Sequence, residues 1–270
     1  MSADIHALIA RNASRWNTMR LDPSRLSTFD RIAARLCLPA NKTRFQAVTD
    51  RLVKMGLQPV PWWFIAIVAE REYGGPPHWD KQLGQGDPLD QVSHNDPAGR
   101  GPFLDHPGDD LIHNNAWVRC ALDALIDCSP HAAHWPDWTP GGTMTIFEEY
   151  NGLGYAMKGV PSAYVWSGTD QYVAGKYVAD HVYRNDVKDV QEGCAPILHQ
   201  MMQIDKSIQF PGALKVGAGP TASVIVPTLP PAAKPAEGAA VGHDRAPVIV
   251  PPVQPHRTLV QELLDAFQKL

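Results

Sequence analysis

Two carboxylates of this sequence have the settings that acid–base cleavage of a glycosidic bond requires. Such a reaction needs a carboxylic acid that apolar surroundings keep protonated, and often a second carboxylate that stays ionised in a wetter place. Glu72 follows the apolar run that begins at Trp62, where desolvation would raise its pKa. Asp87 lies in a polar loop that suits an ionised partner. Glu72 is therefore a candidate catalytic acid, and Asp87 is its candidate partner.

The same loop offers substitutes for the partner role. Asp90 and Asp96 are alternative second carboxylates, and Ser93 or His94 could hold a water molecule. A simpler interpretation of the acidic helix end also stays open. Carboxylates that flank an arginine, as in the triplet at residues 70–72, are commonly solvated and paired with it.

The elements that position these residues are mainly helical. Residues 61–73 are apolar almost all round, which is typical of a buried helix, and glycines and prolines follow at 74–77. Residues 74–108 are rich in Gly, Pro, Asp and His and predict a long loop with one short hairpin. Other predicted helices span Ile5–Met19, Ser27–Leu36, Lys42–Met55, Asp109–Asp127, Thr143–Asn151, Thr169–Tyr183 and Asp186–Ile204, the last kinked at Pro196.

The composition narrows the class of protein. The chain has 270 residues, of which 44% are hydrophobic, so it can form a sizeable core. Its 24 basic and 28 acidic residues give a formal charge of -4, which argues against nucleic acid as a partner. No apolar stretch approaches the roughly 20 residues that cross a bilayer. The four cysteines are expected to be reduced core thiols, with a Cys120–Cys128 bridge left open.

The end of the chain has a different composition. Ten of the 25 prolines fall between Pro211 and Pro255, among Ala and Gly and without an aromatic residue. Such a segment cannot build a core, so we predict a disordered Pro/Ala-rich linker over 211–256. Residues 257–270 predict a short amphipathic helix with balanced charges, which suits docking to a protein partner or self-association.

Metal and nucleophile chemistry find little support in the sequence. Several histidines lie in or near the 74–108 loop, but there is no His-Glu-x-x-His, no Cys-x-x-Cys and no tight ligand pair on one helical face. No Gly-x-Ser-x-Gly motif is present. We therefore predict neither a metal nor a cofactor.

A second group of candidates surrounds Asn151 and could bind sugar. Sugar rings stack on aromatic faces and accept hydrogen bonds from amides, so we name Asn151, Tyr150, Tyr155 and Trp166 as candidate substrate-binding residues, together with Ser93. Aromatic residues at helical spacing are more often core residues. Gly152 also fits the left-handed position that ends many helices, so the sugar-binding and the purely structural interpretations of this segment both stay open here.

Four parts of the sequence have a familiar pattern: FIAIVAEREYGG, KQLGQGDPLDQVS with PAGRGPF, FEEYNGLGY, and VPSAYVWSGTDQYVAGKYVADHVY. They resemble motifs of the lysozyme-like superfamily, and in particular of a phage and prophage family of endolysin-like proteins. In that superfamily a small residue follows the catalytic glutamate, whereas this sequence has Tyr73 at that position. The element at 150–152 is also similar to the Tyr-Asn-Ala-Gly helix start of lytic transglycosylases.

The resemblance implies a mainly α, lysozyme-like catalytic domain over 41–210. Residues 1–40 lie outside the resemblance, and we predict that they form an N-terminal helical extension. It implies that Glu72 protonates the leaving oxygen of the β-1,4 bond between N-acetylmuramic acid and N-acetylglucosamine in peptidoglycan. If Asp87 orients a water, the protein is a muramidase. Without a second carboxylate the products are 1,6-anhydro sugars, as from a lytic transglycosylase. A non-catalytic glycan-binding assembly module is the remaining alternative.

The expected place of action follows from the same interpretation. The first residues, MSADIHALIARNASRW, lack the basic region, apolar run and cleavage site of a conventional signal peptide. We therefore expect synthesis in the cytoplasm and action on the cell wall, reached through a separate pore or as part of a particle.

Overall fold

The fold is mainly α, as predicted. The computed structural model describes residues 3–94, 97–179 and 181–212, all within one compact unit. Asp96, nearly all of the predicted linker and the predicted C-terminal helix lie outside the described residues. The elements are α1 (Ile5–Thr18), α2 (Leu26–Leu36), α3 (Pro39–Lys54), α4 (Trp62–Tyr73), α5 (Ala116–Ile126), α6 (Pro140–Tyr150), α7 (Gly154–Lys158), α8 (Ala163–Trp166), β1 (Lys176–Ala179), β2 (Val182–Arg184) and α9 (Cys194–Ile204).

Helix α4 forms the centre of the core. Its first eight residues, Trp62–Ala69, are all buried, which agrees with the apolar character of the sequence on every side. The helix packs against α3 and α9. It ends at Gly74, whose φ of 83° is left-handed and therefore favours glycine. No helix in the described part of the chain is long and apolar enough to cross a membrane.

The N-terminal residues belong to the same core, so the predicted division at residue 40 does not appear. Helix α1 packs along α6 so closely that a Cβ at Gly141 would lie 2.5 Å from the Ile9 carbonyl oxygen. Buried Asn12 donates hydrogen bonds from α1 to Thr145 Oγ1 at 3.2 Å and to Glu148 Oε2 at 3.4 Å. Helix α2 packs on α9. Residues 3–40 are therefore part of the folded body.

The helix predicted at Thr169–Tyr183 is wrong. The segment contains an antiparallel hairpin in which Lys176 pairs with Arg184 and Tyr177 with Tyr183. Gly175, with a φ of 103°, is incompatible with a continuous helix, and the Tyr and Val residues that follow it favour strands. In the described residues of the 74–108 loop, where we predicted a hairpin, an isolated bridge joins Lys81 to Pro88 and no strand is formed.

Two later helices begin well after their predicted starts. Helix α5 begins at Ala116, where the Asn115 side chain accepts a hydrogen bond from the Val118 amide at 3.0 Å. Helix α9 begins at Cys194, not at 186. Pro196 therefore falls in the first turn of α9, where proline is compatible with a helix, and the predicted kink has no cause.

The cysteines are free thiols. Cys120, Cys128 and Cys194 are buried, and Cys37 is half-buried. Burial raises the pKa of the Cys120 thiol to about 12 and that of Cys128 to about 11. The Cys120–Cys128 bridge that the sequence left open is not formed, and neither thiol is activated as a nucleophile.

Candidate active site

Glu72 lies in the last turn of α4, where the core helix reaches a cleft. Its Oε1 atom accepts a hydrogen bond of 2.9 Å from the hydroxyl group of Tyr164 on α8. Burial raises the pKa of Glu72 to about 7, because the Tyr164 hydrogen bond and the Arg71 charge offset the desolvation only in part. At neutral pH this carboxyl group is therefore able to hold a proton and to release it.

Arg71 fixes the end of α4 against the segment that follows the hairpin. Its guanidinium group lies 4.5 Å from the centre of the Tyr164 ring and 3.4 Å from Asp189 Oδ2. It also donates a 2.7 Å hydrogen bond to the carbonyl oxygen of Glu192. The Nζ atom of Lys176 in β1 lies 2.9 Å from Asp189 Oδ1, so Asp189 is paired with two cations. These contacts hold the Tyr164 ring in place, and with it the hydroxyl group that contacts Glu72.

Glu70 has a structural role. Its Oε2 atom lies 2.6 Å from the guanidinium group of Arg35, and the pair is partly buried. Arg35 also donates hydrogen bonds of 2.6 Å to the carbonyl oxygens of Gly74 and Pro76. This arginine therefore secures the turn that ends α4. Glu70 is not among the residues that line the cleft next to Glu72.

The cleft beside Glu72 has a volume of about 440 Å³. One wall comes from the loop after α4, and the opposite wall comes from the end of α6 and the turn that follows it. Arg100 fastens the outer part of that loop to α5 through a 2.8 Å hydrogen bond from its Nε atom to Asp123 Oδ2. The residues that line the cleft are Glu72, Gly84, Gln85, Pro97, Ser129, Glu149, Tyr150, Asn151 and Gly152.

A second depression lies beside the hairpin and shares part of its wall with the cleft. This hairpin groove has a volume of about 580 Å³, and Asn151 and Gly152 line both spaces. Tyr155, Met157 and His181 are among its other lining residues. Two spaces that share a wall form an elongated site, which suits a chain of linked units better than a single small molecule.

The structure does not place Asp87 in the cleft. Its Oδ2 atom accepts a hydrogen bond of 3.1 Å from the His94 amide, and its carbonyl oxygen accepts one of 2.7 Å from the Gln82 amide. Asp87 therefore stabilises the fold of its own loop. The substitute Asp90 is exposed and lines a different depression, next to Trp79.

Two predicted sugar-binding residues are inside the protein. Trp166 is 0% exposed, so its ring has no free face for a sugar. Ser93 is 5% exposed, and its hydroxyl group donates to the Pro97 carbonyl oxygen at 2.6 Å and accepts from the Arg100 amide at 2.9 Å. Both predictions are corrected: Trp166 is a core residue and Ser93 closes a turn of the loop.

The other three candidates border the open spaces, with different degrees of access. Asn151 is exposed at the end of α6, and its side-chain amide makes no hydrogen bond to any described residue. Tyr150 lines the cleft, and its hydroxyl group donates to the Leu83 carbonyl oxygen at 3.4 Å. Tyr155 is only 4% exposed, because it packs edge-on against Tyr177. Asn151 is therefore the most accessible polar group, whereas Tyr155 mainly supports the hairpin.

Glu149 lines the cleft together with Glu72, and sequence reasoning missed it. Its neighbour Glu148 is 0% exposed and points into the core toward Asn12. Adjacent residues of a helix face directions about 100° apart, so one of the two glutamates had to face away from the core. That spacing was the only signal in the sequence, and it did not tell which of the two faces the cleft.

The described residues contain no group of three or more His, Cys, Asp or Glu side chains arranged to hold a metal ion. Comparison of the chain with models of protein families, with curated proteins and with solved structures finds no match.

Proposed function

We propose that this protein is a glycosidase that cleaves the β-1,4 bond between N-acetylmuramic acid and N-acetylglucosamine in peptidoglycan, with Glu72 as its general acid. The observation that carries the proposal is the setting of Glu72. This carboxyl group lies at the end of a buried apolar helix, contacts an open cleft, and has its pKa raised to about 7. A general acid works best when its pKa lies near the working pH.

The chemistry follows from that proton. Glu72 donates it to the glycosidic oxygen as the bond to the anomeric carbon breaks, so that the leaving group departs as a neutral alcohol. Positive charge develops on the ring that remains, and the Glu72 carboxylate is then ionised. The Tyr164 hydroxyl group, 2.9 Å from Oε1, stabilises that ionised form. Tyr164 is therefore a positioning residue that sets how readily Glu72 gives up its proton.

The choice of substrate rests on the shape of the site and on the motifs of the sequence. A cleft that shares a wall with the hairpin groove suits a polymer, and the free Asn151 amide offers hydrogen bonds to the acetamido groups of amino sugars. The resemblance of residues 64–75 to the catalytic helix of the lysozyme-like superfamily favours peptidoglycan over other glycans. The cell wall is accordingly the proposed place of action, reached through a separate pore or as part of a particle.

The experiment is to incubate purified peptidoglycan with the wild-type protein, with Glu72→Gln and with Asp90→Asn. Mass spectrometry identifies the soluble fragments. The Asp90→Asn variant is the matched control, since it also removes one negative charge but from an exposed side chain outside the cleft. We expect reducing fragments from the wild type and from Asp90→Asn, and a loss of about 100-fold or more in their release by Glu72→Gln.

Other products would change the conclusion. Fragments with 1,6-anhydro ends would identify a lytic transglycosylase that uses the same acid. If the wild type releases no fragments but binds peptidoglycan as tightly as Glu72→Gln does, the proposal is wrong and the protein is a glycan-binding assembly module.

A further inference from the structure

Glu149 is the second carboxylate of the cleft. It lies in the last turn of α6, whereas Glu72 lies in the last turn of α4, and both line the same space of about 440 Å³. The Glu149 side chain makes no hydrogen bond or ion pair with any residue of the described ranges, and it is half-buried. A carboxylate that borders a cleft without a protein partner is available to a bound molecule.

The neighbouring carboxylates are all engaged elsewhere. Glu148 is buried beside Asn12, Glu70 is paired with Arg35, and Asp87 accepts hydrogen bonds within its own loop. The role of Asp87 is therefore to stabilise its loop, and the role of Glu148 is to pack in the core. Neither explanation applies to Glu149.

We propose that Glu149 is the general base that activates water in this site. The inference rests on the proposed glycosidase function and deepens it. Glu149 takes a proton from a water molecule while the oxygen of that water bonds to the anomeric carbon. The bond from that carbon to the glycosidic oxygen breaks, and the glycosidic oxygen receives the proton of Glu72. The products are a free sugar at the new reducing end and an alcohol on the other sugar, with one water consumed.

The surroundings of Glu149 suit a base. Burial raises its pKa above the ordinary value of a glutamate, since part of the side chain is removed from solvent. A carboxylate with a raised pKa accepts a proton more readily than an ordinary one. Burial raises the pKa of Glu72 as well, to about 7, so the other carboxyl group of the cleft can supply the proton that the leaving oxygen needs.

The first test compares Glu149→Gln with Asp87→Asn, each of which replaces a carboxylate by an amide of the same shape. The assay is hydrolysis of purified peptidoglycan as a function of pH. We expect Glu149→Gln to lose about 100-fold or more in rate and to lose the acidic limb of the pH profile, which reports ionisation of the base. Asp87→Asn should keep both limbs, and both variants should still bind peptidoglycan in a sedimentation assay.

A second test separates a base from a residue that only shapes the cleft. Glu149→Ala opens space beside the anomeric carbon, and azide can attack there without losing a proton, so it needs no base. We expect sodium azide to restore cleavage by Glu149→Ala and to give a glycosyl azide that mass spectrometry detects. Azide should not restore activity to Glu72→Gln, in which the leaving oxygen has no acid.

The outcomes distinguish this inference from the function on which it rests. A wild type that cleaves, a Glu72→Gln that does not, and a Glu149→Gln as active as the wild type would overturn the role of Glu149 alone. If Asp87→Asn loses as much activity as Glu149→Gln, the general base would have to be assigned to Asp87 in the loop instead of Glu149. A wild type that releases nothing would refute the glycosidase function itself.

Discussion

The hydrogen bond between Tyr164 and Glu72 allows a quantitative test of the acid. Tyr164→Phe removes the hydroxyl group and keeps the ring beside Arg71. A hydrogen bond to an ionised group contributes about 1.5–3 kcal/mol, and one between neutral groups contributes about 1 kcal/mol. The ionised form of Glu72 therefore loses about 0.5–2 kcal/mol more than the protonated form. The middle of that range corresponds to a pKa that rises from about 7 to about 8.

The assay for this change is the pH dependence of kcat/KM on soluble peptidoglycan fragments. The alkaline limb of the profile, where Glu72 loses its proton, should move up by about one pH unit in Tyr164→Phe. Tyr172→Phe is the matched control, because its hydroxyl group is also buried but accepts a hydrogen bond from the Asp189 amide and does not contact Glu72. An alkaline limb that stays in place or moves down in Tyr164→Phe would refute this account of the site.

Three further predictions concern stability. Folding raises the pKa of Glu72 and of Glu148 to about 7, so each protonated carboxyl group stabilises the folded state. This stabilisation is fully present below about pH 4.5 and is lost as the pH rises through 7, by up to about 3 kcal/mol for each group. In chemical denaturation across this range, Glu72→Gln and Glu148→Gln should each show a smaller pH dependence of the unfolding free energy than the wild type. Glu70→Gln breaks the ion pair with Arg35 and should lower the unfolding free energy by about 1–3 kcal/mol while the folded protein keeps its kcat. Gly141→Ala should lower the melting temperature, with a loss of about 1–3 kcal/mol, because the added Cβ would meet the backbone of α1.

Each of these predictions has a control or an opposite result. A Glu72→Gln variant with the same loss of stability between pH 5 and 8 as the wild type would show that this carboxyl group is not desolvated. A loss of kcat in Glu70→Gln would contradict the structural role of Glu70 and would indicate that Glu70, not Glu72, is the general acid. Gly84→Ala, where an added Cβ meets nothing within 4 Å, is the control for Gly141→Ala and should leave the melting temperature nearly unchanged.

The early helices and the central one were predictable because local chemistry determines them. Five of the predicted helices, including α4, agree with the structure to within three residues at each end. The start of α6 is marked by Thr139, whose side chain accepts a hydrogen bond from the Gly142 amide at 3.2 Å before Pro140 in the first turn. The apolar residues of α4 predicted both its burial and the unusual environment of Glu72 at its end.

The parts that could not be predicted depend on contacts between distant segments. Tyr164 is 92 positions from Glu72 along the chain, so no local pattern joins the two residues. Asp87 has the residue type and loop setting of a partner, but its hydrogen bonds to the loop backbone appear only in three dimensions. The hairpin at 176–184 was missed because its strands are short, and a helical period fits its Tyr and Val residues equally well.

The most direct test of the central claim is cleavage of purified peptidoglycan in water labelled with ¹⁸O, by the wild type and by Glu72→Gln. We predict that the wild type releases fragments whose new reducing ends are N-acetylmuramic acid with one ¹⁸O atom, and that Glu72→Gln releases almost none. Equal release by the two proteins would contradict the role of Glu72 as the acid, and no release by either would contradict the glycosidase function.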